Sequence, residues 1–202
     1  MSTKGLLAKK IGMTQIFNDR GDVVGVTVLE AANCRVVGIR TKVKDGYNAI
    51  QLGFMLAKKL NKPLTGFLKE NKLKHIVEFS IENVDEYKIG QEIKVDVFNI
   101  GDMVNIAGIG IGKGFAGTTK RWHHHRGPMT HGSKSHRLTG SIGAGTTPGR
   151  VYKGLNMPGH MGAKRVTNRK VKIVSVDTEK NLLLVKGSVP GPKGNIVEIV
   201  KI

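Results

Sequence analysis

Hydrophobic and polar residues alternate in short runs over much of the chain, which is the pattern of strands with one buried face. The runs are rich in valine and isoleucine, and turn sequences such as Asp45-Gly46 separate them. Many short strands at this spacing are typical of a small closed β-barrel. The predicted strands are 22–31, 34–41, 47–54, 75–81, 92–98, 103–109, 170–176, 181–189 and 195–202. One helix is predicted around 63–71, where Pro63 suits the first turn.

The middle of the chain has neither the strand period nor the helix period. From Gly110 to Gly162 glycines and prolines interrupt a sequence that has few apolar residues to bury. Such a length is too great for an ordinary loop, and its apolar content does not offset the entropy lost on ordering. We therefore predict a globular β domain, formed by residues 1–109 and 169–202 with a helical insertion at about 55–75. Residues 110–168 are predicted to form an extended arm that orders against a partner.

Charge identifies the chemistry of that partner. The chain has 33 Lys and Arg against 15 Asp and Glu, a formal net charge of +18. Residues 103–176 contain 13 of the basic residues and no acidic residue. A solvated face tolerates both signs of charge, so a stretch of this length without an acid indicates binding to a polyanion. Nucleic acid is favoured over an acidic membrane surface.

Other features of the composition indicate the type of hydrophobic core and the cellular compartment. Aromatic residues make up only 5% of the chain, which predicts an aliphatic core. Cys34 is the only cysteine, so an intramolecular disulfide and a cysteine-rich zinc site are excluded, and a reducing compartment is expected. Lys9 and Lys10 interrupt the first apolar run, which is not typical of a secretory signal. No run approaches the roughly 18 apolar residues of a membrane span. We expect a soluble intracellular protein with no membrane partner.

A glycine-rich stretch at 108–117 matches the dinucleotide-binding fingerprint formally, as Gly112-x-Gly114-x-x-Gly117. That motif requires a strand before it, a helix after it and an acidic residue about 20 positions later. The next acid is Asp177 and no helix is predicted, while Lys113-Gly114 does not fit a Walker loop. Two interpretations remain: a turn without a ligand, and a flexible neck whose backbone approaches phosphates beside Lys113.

Five of the seven histidines lie between Lys120 and Gly143, which raises the question of a metal or catalytic site. Spacing would permit His123 and His125 to bind a metal with His131 or His136 as a third ligand. However, no local carboxylate is present to orient the imidazoles, and the surrounding cations would repel a metal ion. The same lack of an acid argues against a catalytic triad with the nearby Ser133, Ser135 or Ser141. No metal and no cofactor are predicted.

RNA contact explains these histidines better, although a solvated polar loop remains an alternative. Imidazole stacks on bases and donates hydrogen bonds to phosphates. Arg binds a phosphate through two parallel hydrogen bonds, and Lys binds it as a point charge. Trp122 can stack on a base or pack on protein. The predicted RNA-binding residues are Lys113, Lys120, Arg121, Trp122, His123, His124, His125, Arg126, His131, Lys134, His136, Arg137, Ser141, Arg150, Lys153, His160, Lys164, Arg165 and Arg169.

Several long motifs resemble the bacterial or plastid form of the large-subunit ribosomal protein L3 family. They cover essentially the whole chain. They are KKIGMTQIF (9–17), DGYNAIQLGF (45–54), GFAGTTKRW (114–122), HGSKSHRLTGSIGAGTTPGRVYKG (131–154), MPGHMG (157–162) and NLLLVKGSVPGPKG (181–194).

The resemblance implies a mainly β protein with a six-stranded β-barrel of the translation-protein type, a small helical insertion and a long irregular basic extension. It implies that the barrel sits on the surface of the large subunit while the extension, with its tip at about 140–153, reaches through ribosomal RNA toward the peptidyl-transferase centre. Neighbouring ribosomal proteins are expected partners, with a role in assembly and no catalysis or small-molecule substrate. The expected location is the ribosome of a bacterial cytoplasm or of a plastid stroma.

The sequence departs from the family pattern at three places. Gly110 and Ile111 stand where relatives more usually have Ser and Lys, which removes one phosphate contact. His124 replaces a common Phe, and Trp122 replaces a common His. Residues 144–147 (AGTT) contain no glutamine, whereas some relatives carry a methylated glutamine there.

Two other functions remain open from the sequence. A histidine-dependent ribonuclease is chemically conceivable, because two histidines suffice for acid–base cleavage of RNA. A general nucleic-acid chaperone or DNA-compacting protein would need the same positive charge.

Overall fold

A computed structural model describes residues 5–32, 34–68 and 72–202. The chain divides into two compact units. The first unit contains the described residues up to Gly110 together with Arg165–Ile202, and the second contains Ile111–Lys164. Within the part of the chain that the structure describes, no helix has the length and apolar character needed to cross a membrane.

Strands outnumber helices, as the sequence predicts. The strands are β1 Gly5–Phe17, β2 Val23–Glu30, β3 Cys34–Arg40, β4 Ala49–Leu56, β5 Leu73–Ser80, β6 Glu92–Ile93, β7 Met103–Ile109, β8 Gly114–Ala116, β9 Gly159–Met161, β10 Arg165–Asp177, β11 Leu182–Lys186 and β12 Ile196–Lys201. The helices are α1 Lys42–Asp45, α2 Lys62–Leu68 and α3 Thr118–Trp122, and a 3-10 turn spans Val95–Val97.

Six strands of the first unit pair in a closed cycle. The order is β1, β12, β7, β10, β11, β2 and back to β1, and every neighbouring pair is antiparallel. A closed cycle leaves no unpaired strand edge, which removes a template for aggregation. Alternate residues point inward, so that Val104 and Ile106 of β7 and Val197 and Ile199 of β12 are fully buried. The core is aliphatic here, as the low aromatic content predicts.

A second sheet in the same unit has the strand order β5, β4, β3, β6. Its inner face contributes Ile50, Leu52, Phe54 and Phe79 to the core that the six-stranded ring also lines. Burying these side chains removes apolar surface from water, which is the dominant favourable contribution to folding.

The sequence pattern misses β1, because two lysines break its apolar run. Lys10 is nevertheless buried, and its ammonium group donates to the carbonyls of Val189 (2.8 Å) and Gly191 (2.9 Å). The backbone of Lys10 also pairs with Gly194 and Asn195. A charged residue therefore fixes the loop before β12, and this long-range role has no signature in local hydrophobic periodicity.

Other elements differ in their bounds from the sequence predictions. The predicted helix around 63–71 begins at Lys62 and continues through Leu68, and residues 69–71 lie outside the described part. The run at 92–98 forms only the two-residue β6, because a 3-10 turn follows in which the Phe98 N–H bonds to the Val95 carbonyl at 3.0 Å. Strand β10 begins at Arg165, inside the range that the sequence assigns to the arm, and pairs with β7 from there.

Candidate nucleic-acid interface

The second unit, residues 111–164, is built around the short β-ribbon of β8 and β9. Phe115 pairs with His160 across the ribbon, and the Lys113 N–H donates to the Met161 carbonyl at 2.8 Å. At the end of β9 the chain passes so close to residue 111 that a Cβ on Gly162 would lie 2.2 Å from the Ile111 carbonyl oxygen. Gly162 also has φ +76, so glycine is required there for two reasons.

This unit has almost no core. Among residues 111–164, all of which the structure describes, only Ala116 and Thr118 are buried. Every residue from 140 to 156 is exposed. A segment of this kind gains little free energy from burying its own side chains, so hydrogen bonds contribute more to its order than a core does.

Two side chains of helix α3, Arg121 and Trp122, form hydrogen bonds to Met157, near the other end of the unit. We call this set of contacts the clamp. The Arg121 guanidinium and the Trp122 indole N–H both donate to the Met157 carbonyl, at 2.8 Å and 2.9 Å. The Arg121 guanidinium also lies 5.1 Å from the centre of the Trp122 ring, within cation–π range. Two residues predicted to contact RNA therefore make specific contacts within the protein. Trp122 keeps 42% of its surface exposed.

The consecutive histidines have different environments. His123 has φ +60 and ends α3, while His124 is half-buried and lines a recess of about 260 Å³ with Ser141 and Asn156. His123 and His125 are exposed. The three consecutive histidines therefore differ in exposure, with His124 the least exposed of them.

The remaining histidines also stand apart. His136 lies with Nδ1 3.0 Å from the Pro128 carbonyl, and its own carbonyl accepts from the Gly127 N–H at 3.0 Å. His131 and His160 are exposed. Across the described residues, no three His, Cys, Asp or Glu side chains are grouped closely enough to hold a metal ion.

The cations of the second unit lie on its surface without neutralising groups of their own. The unit has nine Lys and Arg and no Asp or Glu. Arg150 lies over the Tyr152 ring at 5.2 Å, and the Ser141 hydroxyl donates to the Gly143 carbonyl at 3.1 Å. The exposed cations are Lys113, Lys120, Arg126, Lys134, Arg137, Arg150, Lys153 and Lys164. The positive charges on such a surface repel one another and attract a polyanion.

Large apolar side chains are exposed among these cations, and the sequence prediction left them out. Phe115 is 79% exposed, Leu138 73%, and Tyr152 58%. Exposed apolar groups in a positively charged surface suit contact with the sugars and base faces of RNA, which lie next to its phosphates. Their presence inside the acid-free stretch is the sequence signal that would have identified them.

The dinucleotide interpretation of the glycine stretch does not agree with the geometry. Gly114 opens strand β8, whereas the fingerprint requires a helix to begin at the glycines. The prediction that no helix follows the glycines is wrong, because helix α3 begins at Thr118 directly after Gly117, although it has only five residues. The glycines therefore allow a tight ribbon and do not form a nucleotide cradle.

Two predicted RNA-binding residues, Arg165 and Arg169, belong to β10 in the first unit. Arg165 is paired with Glu198 of β12, so its charge is already neutralised within the protein. Arg169 is exposed and borders a groove with Lys172 and Lys186. Lys172 lies in the acid-free stretch and could have been predicted. Lys186 lies outside that stretch, and it borders the same groove as Arg169 because β10 and β11 are paired.

Comparison with known proteins agrees with the motifs. The family model "Ribosomal protein L3" matches residues 55–181. The large ribosomal subunit protein uL3 of Nostoc punctiforme is 51% identical over 201 residues, covering 97% of this chain and 96% of its relative. The proteins of the same name from a Synechococcus species and from Trichormus variabilis are 50% and 49% identical, covering 96% and 97% of this chain and 94% and 95% of theirs. The chain belongs to the ribosomal protein L3 family.

Proposed function

We propose that this protein is a structural constituent of the large ribosomal subunit that binds large-subunit ribosomal RNA and aids assembly of the subunit. The observation that carries the proposal is the second unit, in which nine Lys and Arg accompany no acid and only two residues are buried. Ribosomal RNA supplies both the counter-charge and the surface that such a segment lacks.

The two units have different roles in this proposal. The six-stranded ring acts as a translation-protein-type β-barrel and anchors the protein at the surface of the subunit, in contact with neighbouring ribosomal proteins. Residues 111–164 act as the arm, with the exposed tip at 140–153 directed toward the peptidyl-transferase centre. The clamp of Arg121, Trp122 and Met157 holds the base of the arm.

The protein acts by binding and not by catalysis. General acid–base cleavage needs two groups placed on opposite sides of one phosphate, and the histidines of the arm have separate environments. We expect purified protein to leave large-subunit RNA intact. Cleavage that disappears in both His123→Ala and His131→Ala variants would favour the ribonuclease instead.

Shortening the arm tests the proposal. Replacing residues 127–156 by a short Gly-Ser linker keeps Met157 and therefore the carbonyl that Arg121 and Trp122 share. We expect a folded protein that enters reconstituted large subunits poorly and yields subunits with reduced peptidyl-transferase activity. Thermal unfolding of the free variant controls for the fold of the first unit. Full incorporation with full activity would contradict the proposed role of the arm.

A further inference from the structure

A groove of about 460 Å³ lies in the first unit, where the second sheet ends at β6. Its lining begins in the turn before β6, includes both residues of that strand and continues into the 3-10 turn that follows. Strand β6 is the last strand of its sheet, and its other side pairs with none of the strands that the structure describes. The groove is therefore part of an open sheet edge, and such an edge can accept a further extended chain.

The least exposed residues of the groove are apolar or aromatic. Ile93 is buried, and Tyr87 and Val97 are half-buried. Burial and then the charge of the neighbouring Glu86 raise the pKa of Tyr87, so its phenol group stays neutral. A surface of this kind accepts hydrocarbon groups, including the methylene stem of a Lys or Arg side chain whose charged end remains in water.

The exposed residues of the groove are mostly acidic. Glu86, Glu92 and Asp96 contribute carboxylates, against the single cation of Lys94. Glu92 is paired with Arg35 at 2.6 Å. Neither Glu86 nor Asp96 forms an ion pair with another residue that the structure describes. Two carboxylates of the groove are therefore available to cations from outside the chain.

This negative charge is local, because the protein as a whole is strongly positive. Residues 82–96 contain five Asp and Glu against two Lys, a net charge of −3. The rest of the chain contains 31 Lys and Arg against ten Asp and Glu, a net charge of +21. Carboxylates repel the phosphates of RNA, so this face suits a positively charged partner instead.

The spacing of the carboxylates favours a segment of protein chain over a single metal ion. Across the described residues, no three His, Cys, Asp or Glu side chains are grouped closely enough to hold a metal ion. Separate ammonium or guanidinium groups, carried at intervals along one extended segment, match separate carboxylates.

We propose that this groove binds an extended Lys- or Arg-rich segment of another protein; this inference rests on the proposed function, in which the first unit contacts neighbouring ribosomal proteins. The main chain of the segment adds to the open edge of β6. The methylene stems of its cations pack on Tyr87 and Val97, and their charged ends pair with Glu86 and Asp96.

Photo-crosslinking in reconstituted large subunits tests this proposal. The photoreactive amino acid p-benzoylphenylalanine replaces Lys94, an exposed residue of the groove, in every chain that is compared. Mass spectrometry of the crosslinked product identifies the segment that lies in the groove.

Two variants with equal charge change are compared. The groove variant carries Glu86→Gln and Asp96→Asn, and it keeps Glu92 because that residue pairs with Arg35. The control variant carries Asp19→Asn and Glu179→Gln, which replace two exposed acids that do not line the groove. Thermal unfolding establishes that each free chain is folded. Should the replacement of Lys94 prevent folding, the photoreactive residue is placed at Gln91 instead.

We expect the crosslinked product to be a protein segment that is rich in Lys and Arg and contains no Asp or Glu. The groove variant should lower the yield of this product by about fivefold or more, because two ion pairs are lost, and the control should retain the yield. Crosslinking to RNA, to an uncharged or acidic segment or to nothing would overturn the groove proposal and leave the proposed function standing. Equal yields in the two variants would do the same. If the intact chain did not enter large subunits, the proposed function itself would fail.

Discussion

At the scale of single residues, two buried polar groups show how side chains fix the first unit. Lys10 places an ammonium group inside the protein, where it donates to two backbone carbonyls. The Cys34 thiol donates to the Leu7 carbonyl at 3.0 Å, and burial raises the pKa of that thiol to about 12. Both groups are stable inside the protein because they are hydrogen-bonded.

Removing the Lys10 ammonium group should destabilise the first unit. Lys10→Met leaves the carbonyls of Val189 and Gly191 buried without this donor, and we expect the free energy of unfolding to fall by about 3 kcal/mol. Urea denaturation of the variant and the intact chain measures the difference. Lys193→Met, an exposed lysine in the same loop, serves as the control and should change stability by less than about 0.5 kcal/mol. A loss for Lys10→Met as small as that of the control would contradict the structural role of this lysine.

The raised pKa of Cys34 predicts a loss of stability in alkali. Burial raises the pKa of the folded thiol to about 12 from its usual 9.0, so the folded thiol stays protonated after the unfolded thiol ionises. The contribution of the protonated Cys34 thiol to the free energy of unfolding is therefore fully present below pH 9. It decreases as the pH rises from 9 toward 12, by about 1.4 kcal/mol for each pH unit. The difference in unfolding free energy between the intact chain and Cys34→Ala should narrow accordingly from pH 8 to pH 10. A difference independent of pH would show that the thiol is not held in its protonated form.

At the scale of elements, the strands follow from the sequence better than the irregular parts do. Strands β2, β3, β7, β11 and β12 could be predicted from their short apolar runs, because each of these runs contributes buried residues to the core. Strand β1 could not, since Lys10 breaks its pattern and is satisfied by carbonyls some 180 residues away along the chain. The ribbon of β8 and β9 joins segments more than 40 residues apart and has no hydrophobic face, so local pattern does not reveal it.

The clamp on the Met157 carbonyl should be measurable, because Trp122 is the only tryptophan and its fluorescence reports on the arm alone. Arg121→Gln removes one hydrogen bond to Met157 and the cation over the indole ring. We expect Trp122 to become more accessible to acrylamide, with a quenching constant increased by about half or more. Lys120→Gln changes the same charge without a contact to Met157 and should leave quenching unchanged. Equal quenching in the two variants would mean that Arg121 does not hold the indole.

At the scale of the whole molecule, charge divides the chain more sharply than hydrophobicity. All 15 Asp and Glu residues lie outside residues 103–176. Several of them form ion pairs with Arg or Lys at the surface of the first unit. The candidate interface could be predicted from this asymmetry, together with nearly all of its basic residues. What could not be predicted is that Arg121 and Trp122 hold the arm together, that Arg165 is neutralised by Glu198, and that Lys186 joins Arg169 beside one groove. Each depends on contacts between residues far apart in sequence.

In the function that we propose, ribosomal RNA binds the second unit along its length. The most direct measurement is the salt dependence of binding to large-subunit RNA, for the intact chain and for the chain with residues 127–156 replaced by a short linker. The replaced segment holds Lys134, Arg137, Arg150 and Lys153, so we predict a slope of log K against log salt that is shallower by about 3. An unchanged slope would contradict the claim, because these four cations would then make no contact with phosphates.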